Sequence, residues 1–291
     1  MMPATQLSRR ARLRQKVLRE PYQSALRETR ATPPGSPVVP AATTAQAILE
    51  GAIFSGIRTL HLPYHARSRL PATVPGWLDV QRLRPEPAHL DIEVGRTGAA
   101  QTLAGLFADY LEEPGNGPIA AAGIRMRDSR GAAEFFRPGH SGAVRFRGVS
   151  AAEVLSAHRV VCPHSTCIAE TSPHVITVAE QFHTTHPADR ALLAVSSALR
   201  RLGIFLALGA TSIDTWDWII PPTPDGMVIE AWFPSMTVSE QEQILETLCS
   251  TELSPVWSID QTWPRGKRNA PPYYVLTIEG AADIQLRLFQ S

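Results

Sequence analysis

Apolar side chains recur at three- and four-residue intervals through the first 30 residues, a spacing that is typical of an amphipathic helix. Pro21 interrupts this pattern. A proline inside a helix loses a backbone hydrogen bond and clashes with the preceding turn, but it suits the start of a new helix. The pattern therefore predicts a helix, a break at Pro21 and a second short helix that ends near Arg30. The apolar stripe of this arm comprises Leu13, Val17, Leu18, Tyr22 and Leu26.

Residues 31–44 follow the arm and contain four prolines, so they predict an extended linker between the arm and the body. The body then opens with a helix over 45–57, whose apolar face has helical spacing and which Thr43 or Thr44 caps. Residues 58–87 are rich in proline and arginine and favour loops with short extended pieces.

Regular patterns return at residue 88. The alternation in HLDIEV (89–94) predicts a strand, and residues 98–112 predict a helix. Two apolar segments flank Ser129-Arg130-Gly131, which indicates a hairpin, and AVRFRGV (143–149) alternates as a further strand. Ser150 and Glu153 form a capping box that opens a helix to about His158.

The last third of the chain has the most regular order. Strands are predicted at 174–182, 213–220, 226–233, 254–259, 273–278 and 284–289. A helix begins at Pro187 and stops before Gly203, and a capping box of Thr237 and Glu240 opens another helix to about Leu248.

These patterns predict an α+β fold. From 174 to 259 the order is β-α-β-β-α-β, which is the split βαβ arrangement of ferredoxin-like domains, and 89–160 has a similar order up to its second helix. The sequence shows no repeat between the halves. The predicted organisation is a basic arm (1–31), a linker (32–44), an N-terminal α+β part (45–172) and a C-terminal ferredoxin-like part (173–291).

Composition adds a charge asymmetry to this picture. The 291 residues carry a formal net charge of +1, but residues 1–30 hold eight cations and two glutamates. The arm is therefore +6 and the remainder −5. A basic segment ahead of a mildly acidic body is typical of an element that binds polyanions, and it equally suits an arm that docks on its own body.

Cysteine usage and hydropathy narrow the class of protein. The three cysteines are an odd number with no hydrophobic signal before them, so a reducing, cytoplasmic compartment is expected. No apolar run approaches the roughly 20 residues that span a bilayer, so no membrane contact is expected. No residue pattern indicates an oligomeric state.

The densest group of metal-ligating residue types lies between residues 162 and 186. Zinc prefers thiolate and imidazole ligands, and a structural site needs four of them. The spacing of the two cysteines is looser than in a zinc knuckle, so buried cysteines and surface histidines are the alternative interpretation. The candidate zinc ligands are Cys162, His164, Cys167, His183 and His186, with His174 nearby.

Three acidic residues, Asp214, Asp217 and Glu230, fall on two strands that are predicted to pair. Carboxylates on adjacent strands hold Mg²⁺ in phosphoryl-transfer sites. Asp214 and Asp217 are three residues apart, however, so a regular strand places them on opposite faces. The sequence has no phosphate-binding glycine motif and no nucleophile elbow.

The arm supports two binding hypotheses, and the cysteine–histidine cluster a third. In the first, a nucleic-acid-associated binding protein contacts the phosphate backbone through the arm. In the second, the apolar stripe docks on a protein partner, and the body is a subunit or cargo of a larger assembly. The third is a metal-dependent enzyme. The predicted phosphate contacts are Arg9, Arg10, Arg12, Arg14, Lys16 and Arg19.

Overall fold

The computed structural model describes residues 4–59, 79–95, 98–105, 123–161, 189–218, 226–263 and 273–290. Its N-terminal segment contains the helices α1 (Ala4–Leu18), α2 (Tyr22–Ala31) and α3 (Thr44–Thr59). The chain turns between α1 and α2 at Arg19, whose φ of 54° lies in the left-handed region, and Pro21 directly precedes α2. The predicted break at Pro21 is therefore confirmed.

The first sheet is built from β1 (Val80–Glu86), β2 (His89–Val94), β3 (Arg125–Ser129), β4 (Ala132–Phe136) and β5 (Ala143–Arg147). Its strand order is β1-β2-β5-β4-β3, and only the β2–β5 pair is parallel. Two helices accompany it, α4 (Ala99–Gly105) between β2 and β3 and α5 (Ala151–Val161) after β5. The capping box at Ser150 opens α5 as predicted.

The second sheet follows the helices α6 (Asp189–Leu199) and α7 (Leu202–Ala207). Its strands are β6 (Ser212–Trp218), β7 (Gly226–Phe233), β8 (Trp257–Trp263), β9 (Tyr273–Ile278) and β10 (Ile284–Gln290), and α8 (Val238–Leu248) lies between β7 and β8. The order is β6-β7-β10-β9-β8, and again only the central β7–β10 pair is parallel. The capping box predicted at Thr237 opens α8.

The two sheets have the same connectivity. Each begins with an antiparallel hairpin, continues through a helix and returns as a three-stranded meander whose last strand pairs in parallel with the second strand of the hairpin. Each hairpin is also preceded by a helical segment, α3 in one case and α6–α7 in the other. Helices and two mixed sheets confirm the α+β class. The ferredoxin-like arrangement stays a prediction, because residues 174–182 lie outside the described part of the chain.

Helices α3 and α6 join the two sheets. They pack against each other, and α3 also contacts β5 of the first sheet and β6 of the second. The helices approach closely at Gly51, where a Cβ would overlap the carbonyl oxygen of Leu192. One continuous hydrophobic core therefore includes residues of α3, α6 and both sheets.

A buried ion pair lies at the contact between α3 and α6. The Nη2 of Arg200, just beyond the end of α6, lies 2.6 Å from Oε1 of Glu50 on α3, and both side chains are almost fully buried. Ser196 donates to the same carboxylate, and Arg200 also donates to the carbonyl oxygens of Pro40 and Glu86. The linker before α3 and the end of β1 are thereby tied to α6.

The basic arm is packed onto the body. Helix α1 contacts α7 and β1, and Val17 and Leu18 are fully buried in the common core. Gly203 lies inside α7, at the point where a Cβ would overlap the carbonyl oxygen of Val17. The sequence predicted Gly203 as a helix stop, but its lack of a side chain permits the close approach of α1 instead. The linker is packed as well, because Val39 is buried and pairs with Leu253.

Replacement of Leu18 with alanine is expected to destabilise the whole fold, because it opens a cavity between the arm and the body. Truncation of a buried leucine costs about 2–5 kcal/mol of the free energy of unfolding. Chemical denaturation measures this loss. The control is Arg12→Ala on the exposed side of the same helix, with an expected change of less than about 0.5 kcal/mol. Equal stability of Leu18→Ala and wild type would contradict the packing of α1.

Replacement of Glu50 with glutamine is expected to leave the Arg200 guanidinium buried without a counter-charge. Removal of one partner of a buried ion pair costs about 3–5 kcal/mol of the free energy of unfolding. The matched control is Glu28→Gln, which removes a carboxylate that is 46% exposed and pairs with a surface arginine. Surface pairs contribute about 0–1 kcal/mol, so thermal unfolding should separate the two variants clearly.

Candidate nucleic-acid interface

Three of the six cations that the sequence predicts as phosphate contacts donate hydrogen bonds to backbone carbonyl oxygens of the chain itself. Arg10 donates to the carbonyl oxygen of Ser36 at 2.5 Å and is 5% exposed. Arg14 donates to Glu20 at 2.5 Å and to the carbonyl oxygen of Val38 at 2.9 Å. Arg19 donates to the carbonyl oxygen of Val80 at the start of β1.

These contacts differ from the role that the sequence suggested for Arg10, Arg14 and Arg19 as phosphate contacts. Arg10 is buried and Arg14 and Arg19 are half-buried, and their guanidinium groups already have carbonyl partners in the linker and in β1. The sequence gives the number of charged residues in the arm, but it does not show which side of α1 packs on the body. The alternative that the arm docks on its own body is the arrangement that the structure has.

Four of the other five cations of the arm are exposed, and Lys16 is half-buried. Arg9, Arg12 and Lys16 are spaced by three and four residues, so they lie along one side of α1. Arg9 is 72% exposed and pairs with Glu252, and Arg12 is exposed and makes no ion pair with a described residue. On α2, Arg27 is 76% exposed, and Arg30 is exposed three positions later.

The apolar stripe of the arm faces the body. Val17 and Leu18 are fully buried, and Leu13 packs against the same core. The hydroxyl groups of Tyr22 and Ser8 are 3.0 Å apart and connect α2 to α1, while Leu26 is half-buried. Val17 and Leu18 are therefore engaged within this chain, which leaves them no surface for the partner docking that the sequence suggested.

A second charged surface, absent from the sequence-based candidates, lies on the first sheet. The strand register places one residue from each of the five strands in a row, and the charges alternate from positive to negative across it. We call this set the charged row. It consists of Arg84, Asp91, Arg145, Glu134 and Arg127, from β1 to β3.

Side-chain contacts join most of the charged row. Arg145 is shared between the two carboxylates, with Nη2 at 2.7 Å from Glu134 and Nη1 at 3.4 Å from Asp91. Arg127 Nε donates to Glu134 at 2.6 Å, and its guanidinium lies 4.7 Å from the ring centre of Phe136. Arg147, two residues beyond Arg145 on β5, donates to the second oxygen of Asp91 at 2.6 Å.

The carboxylates of the charged row are held in their ionised form. Burial alone would raise the pKa of Asp91, but hydrogen bonds from His89 and Arg147 and the charge of Arg147 outweigh burial and lower the pKa to about 2. Burial is likewise outweighed at Glu134, where hydrogen bonds from Arg145 and Arg127 lower the pKa below its ordinary value. At neutral pH both carboxylates of the row are therefore ionised.

All the candidate zinc ligands lie outside the described residues. They are Cys162, His164, Cys167, His174, His183 and His186. Within the described ranges, no group of three or more His, Cys, Asp or Glu residues is arranged to hold a metal ion. The register pairs Asp214 with Glu230 and Asp217 with Met227. Of the three acidic residues, the strand register therefore pairs only Asp214 with Glu230.

Comparisons of this chain with protein-family models, with curated proteins and with solved structures found no match. None of the helices that the structure describes is long and apolar enough to cross a membrane.

Acid is expected to destabilise the protein partly through the charged row. A carboxylate whose pKa is lowered by folding stabilises the folded state above its unfolded pKa, and this contribution is lost as the pH falls through the folded pKa. For Asp91 that window runs from about pH 5 down to about 2, because its ordinary value of 3.8 is lowered to about 2. In Asp91→Asn, the melting temperature should be lower at pH 7 and fall less steeply across this window. Identical pH profiles for the variant and wild type would show that the carboxylate does not act in this way.

Proposed function

We propose that this chain is a nucleic-acid-associated binding protein whose helices α1 and α2 contact the phosphate backbone. The observation that carries the proposal is the set of arm cations that remain outward after the internal contacts are made. These are the exposed Arg9, Arg12, Arg27 and Arg30, together with the half-buried Lys16.

The arrangement of these cations suits a polyanion better than a single small anion. The cations of α1 and those of α2 each follow one side of their helix, and α1 packs against α2. A helix rises 1.5 Å per residue, so Arg9 to Lys16 spans about 10 Å. Phosphates along one strand of duplex DNA are separated by about 3.4 Å along the axis, so this distance covers about three of them.

The internal arginines contribute to such binding indirectly. Arg14 and Arg19 hold the corner between α1 and α2 against the linker and β1, so the outward cations are presented on packed helices. Binding through packed elements avoids much of the ordering entropy that a disordered basic tail loses. Arg9 is 72% exposed although its partner Glu252 is only 15% exposed, so the Arg9 guanidinium keeps a side that faces solvent.

The proposal is tested by binding of labelled 20-base-pair duplex DNA and 20-nucleotide single-stranded DNA across a salt series. Wild type should bind both with little sequence preference, because phosphates and not base edges are contacted. The triple variant Arg12→Gln, Arg27→Gln, Arg30→Gln should bind more weakly. On duplex DNA, the negative slope of log affinity against log salt should become shallower by about 0.9 for each phosphate contact that is lost.

Two control variants separate charge from folding. The same triple replacement with lysine retains the charges and should retain most of the slope. Arg159→Gln removes an exposed cation on α5, and its slope should equal that of wild type. If wild type binds neither DNA at low salt, or if the glutamine triple variant keeps the wild-type slope, the arm is not a phosphate-binding element.

A further inference from the structure

We infer that the outer face of the first sheet is a second phosphate-contacting surface, continuous with the arm, at which arginines of the charged row and Arg147 bind the same nucleic-acid backbone. This inference rests on the proposed function, since it assigns an additional surface to the same ligand. It depends on a different set of residues, on β1, β3 and β5, so the two can be tested separately.

The charges on this face do not balance. The strand register assigns six arginines and four carboxylates to it, and because Arg125 is fully buried, the remaining side chains carry an excess of one positive charge with His89 neutral. The arginines are Arg82, Arg84, Arg125, Arg127, Arg145 and Arg147, and the acids are Glu86, Asp91, Glu93 and Glu134.

The carboxylates of this face hold two of its guanidinium groups in place. Asp91 and Glu134 are nearly buried, whereas Arg127 and Arg147 remain 59% and 44% exposed. Each guanidinium therefore bonds to a carboxylate on its inner side and presents its outer side to solvent. Arg127 is restrained further by the ring of Phe136. A planar guanidinium in a restrained position is well suited to bidentate phosphate contacts, and binding immobilises little additional side chain.

This face is continuous with the arm. Arg82 on β1 lies 3.4 Å from Glu20 and 3.4 Å from Ser24, which belong to the corner between α1 and α2 and to α2. Arg84, two residues further along β1, begins the charged row and is exposed. The corner of the arm thus meets the edge strand of the face. From β1 to β3 the row crosses four strand spacings, or about 19 Å at about 4.8 Å each.

The test uses the full chain with the double variant Arg127→Gln, Arg147→Gln. Arg145 is retained, so Asp91 and Glu134 each keep one arginine and the sheet keeps a partner for both carboxylates. On the 20-base-pair duplex the salt slope should decrease by about 1.8, that is, about 0.9 per contact. The double lysine variant at the same positions should keep the wild-type slope, because a charge remains at each position.

The control is again Arg159→Gln. Helix α5 contacts β3 and β4, and its Val154 lies in the core together with Phe135, so α5 covers the opposite face of the sheet. Thermal unfolding of each variant identifies loss of folding. If the glutamine double variant does not fold, the single variant Arg147→Gln replaces it, with an expected decrease of about 0.9.

The outcomes distinguish this inference from the proposed function. A shallower salt slope for both the arm variant and the sheet variant supports both the proposed function and this inference. A lower slope for the arm variant alone overturns the sheet surface and leaves the arm. A lower slope for the sheet variant alone supports the sheet surface and removes the arm contacts. Absence of wild-type binding overturns both. Binding to polyglutamate but not to either DNA would also overturn the inference, because the face would then recognise acidic protein segments.

Discussion

The buried ion pair between Glu50 and Arg200 is the contact on which the arrangement of both sheets depends. Two charges that leave water are stabilised only when their remaining hydrogen-bonding groups are also satisfied. Here Ser196 donates a hydrogen bond to the carboxylate, and the carbonyl oxygens of Pro40 and Glu86 accept hydrogen bonds from the guanidinium. Gln46 extends the network to β5, because its side chain bonds to both backbone groups of Ala143. Helices α3 and α6, the linker and two strands are thereby held in one geometry.

The basic arm combines a structural and a proposed binding role on opposite sides of the same helices. Val17 and the guanidinium of Arg10 are buried against the body, whereas Arg12 lies on the exposed side of α1. Buried arginines that bond to carbonyl oxygens contribute to the fold, and exposed arginines are available to a ligand. This division explains why only some of the eight cations in the first 30 residues belong to the proposed binding surface. It also places the arm beside the charged row, whose guanidinium groups are held by carboxylates from neighbouring strands.

Local patterns predicted much of the secondary structure. The break at Pro21, the capping box at Thr237 and the strand at 89–94 each depend on residues that are close in sequence, and each is found in the structure. Strand β1 was missed, because Arg82, Arg84 and Pro85 are poor strand signals. Proline is tolerated there since β1 is an edge strand, a property that only the sheet order reveals. Gly203 was misread for a similar reason, because its role depends on Val17, which is distant in sequence.

The sequence by itself determined the α+β class, the positions of most helices and strands, and the excess of positive charge in the arm. These features follow from periodicity, caps, turns and composition, all of which act over a few residues. Only the tertiary structure decided that the two sheets share one connectivity, that Arg14 and Arg19 turn inward, and that Asp91 and Glu134 line up with arginines from other strands. Strand register and helix packing join residues that are far apart in the chain. Whether a charge meets an internal partner or the solvent is therefore decided by distances in space, and the order of residues does not contain them.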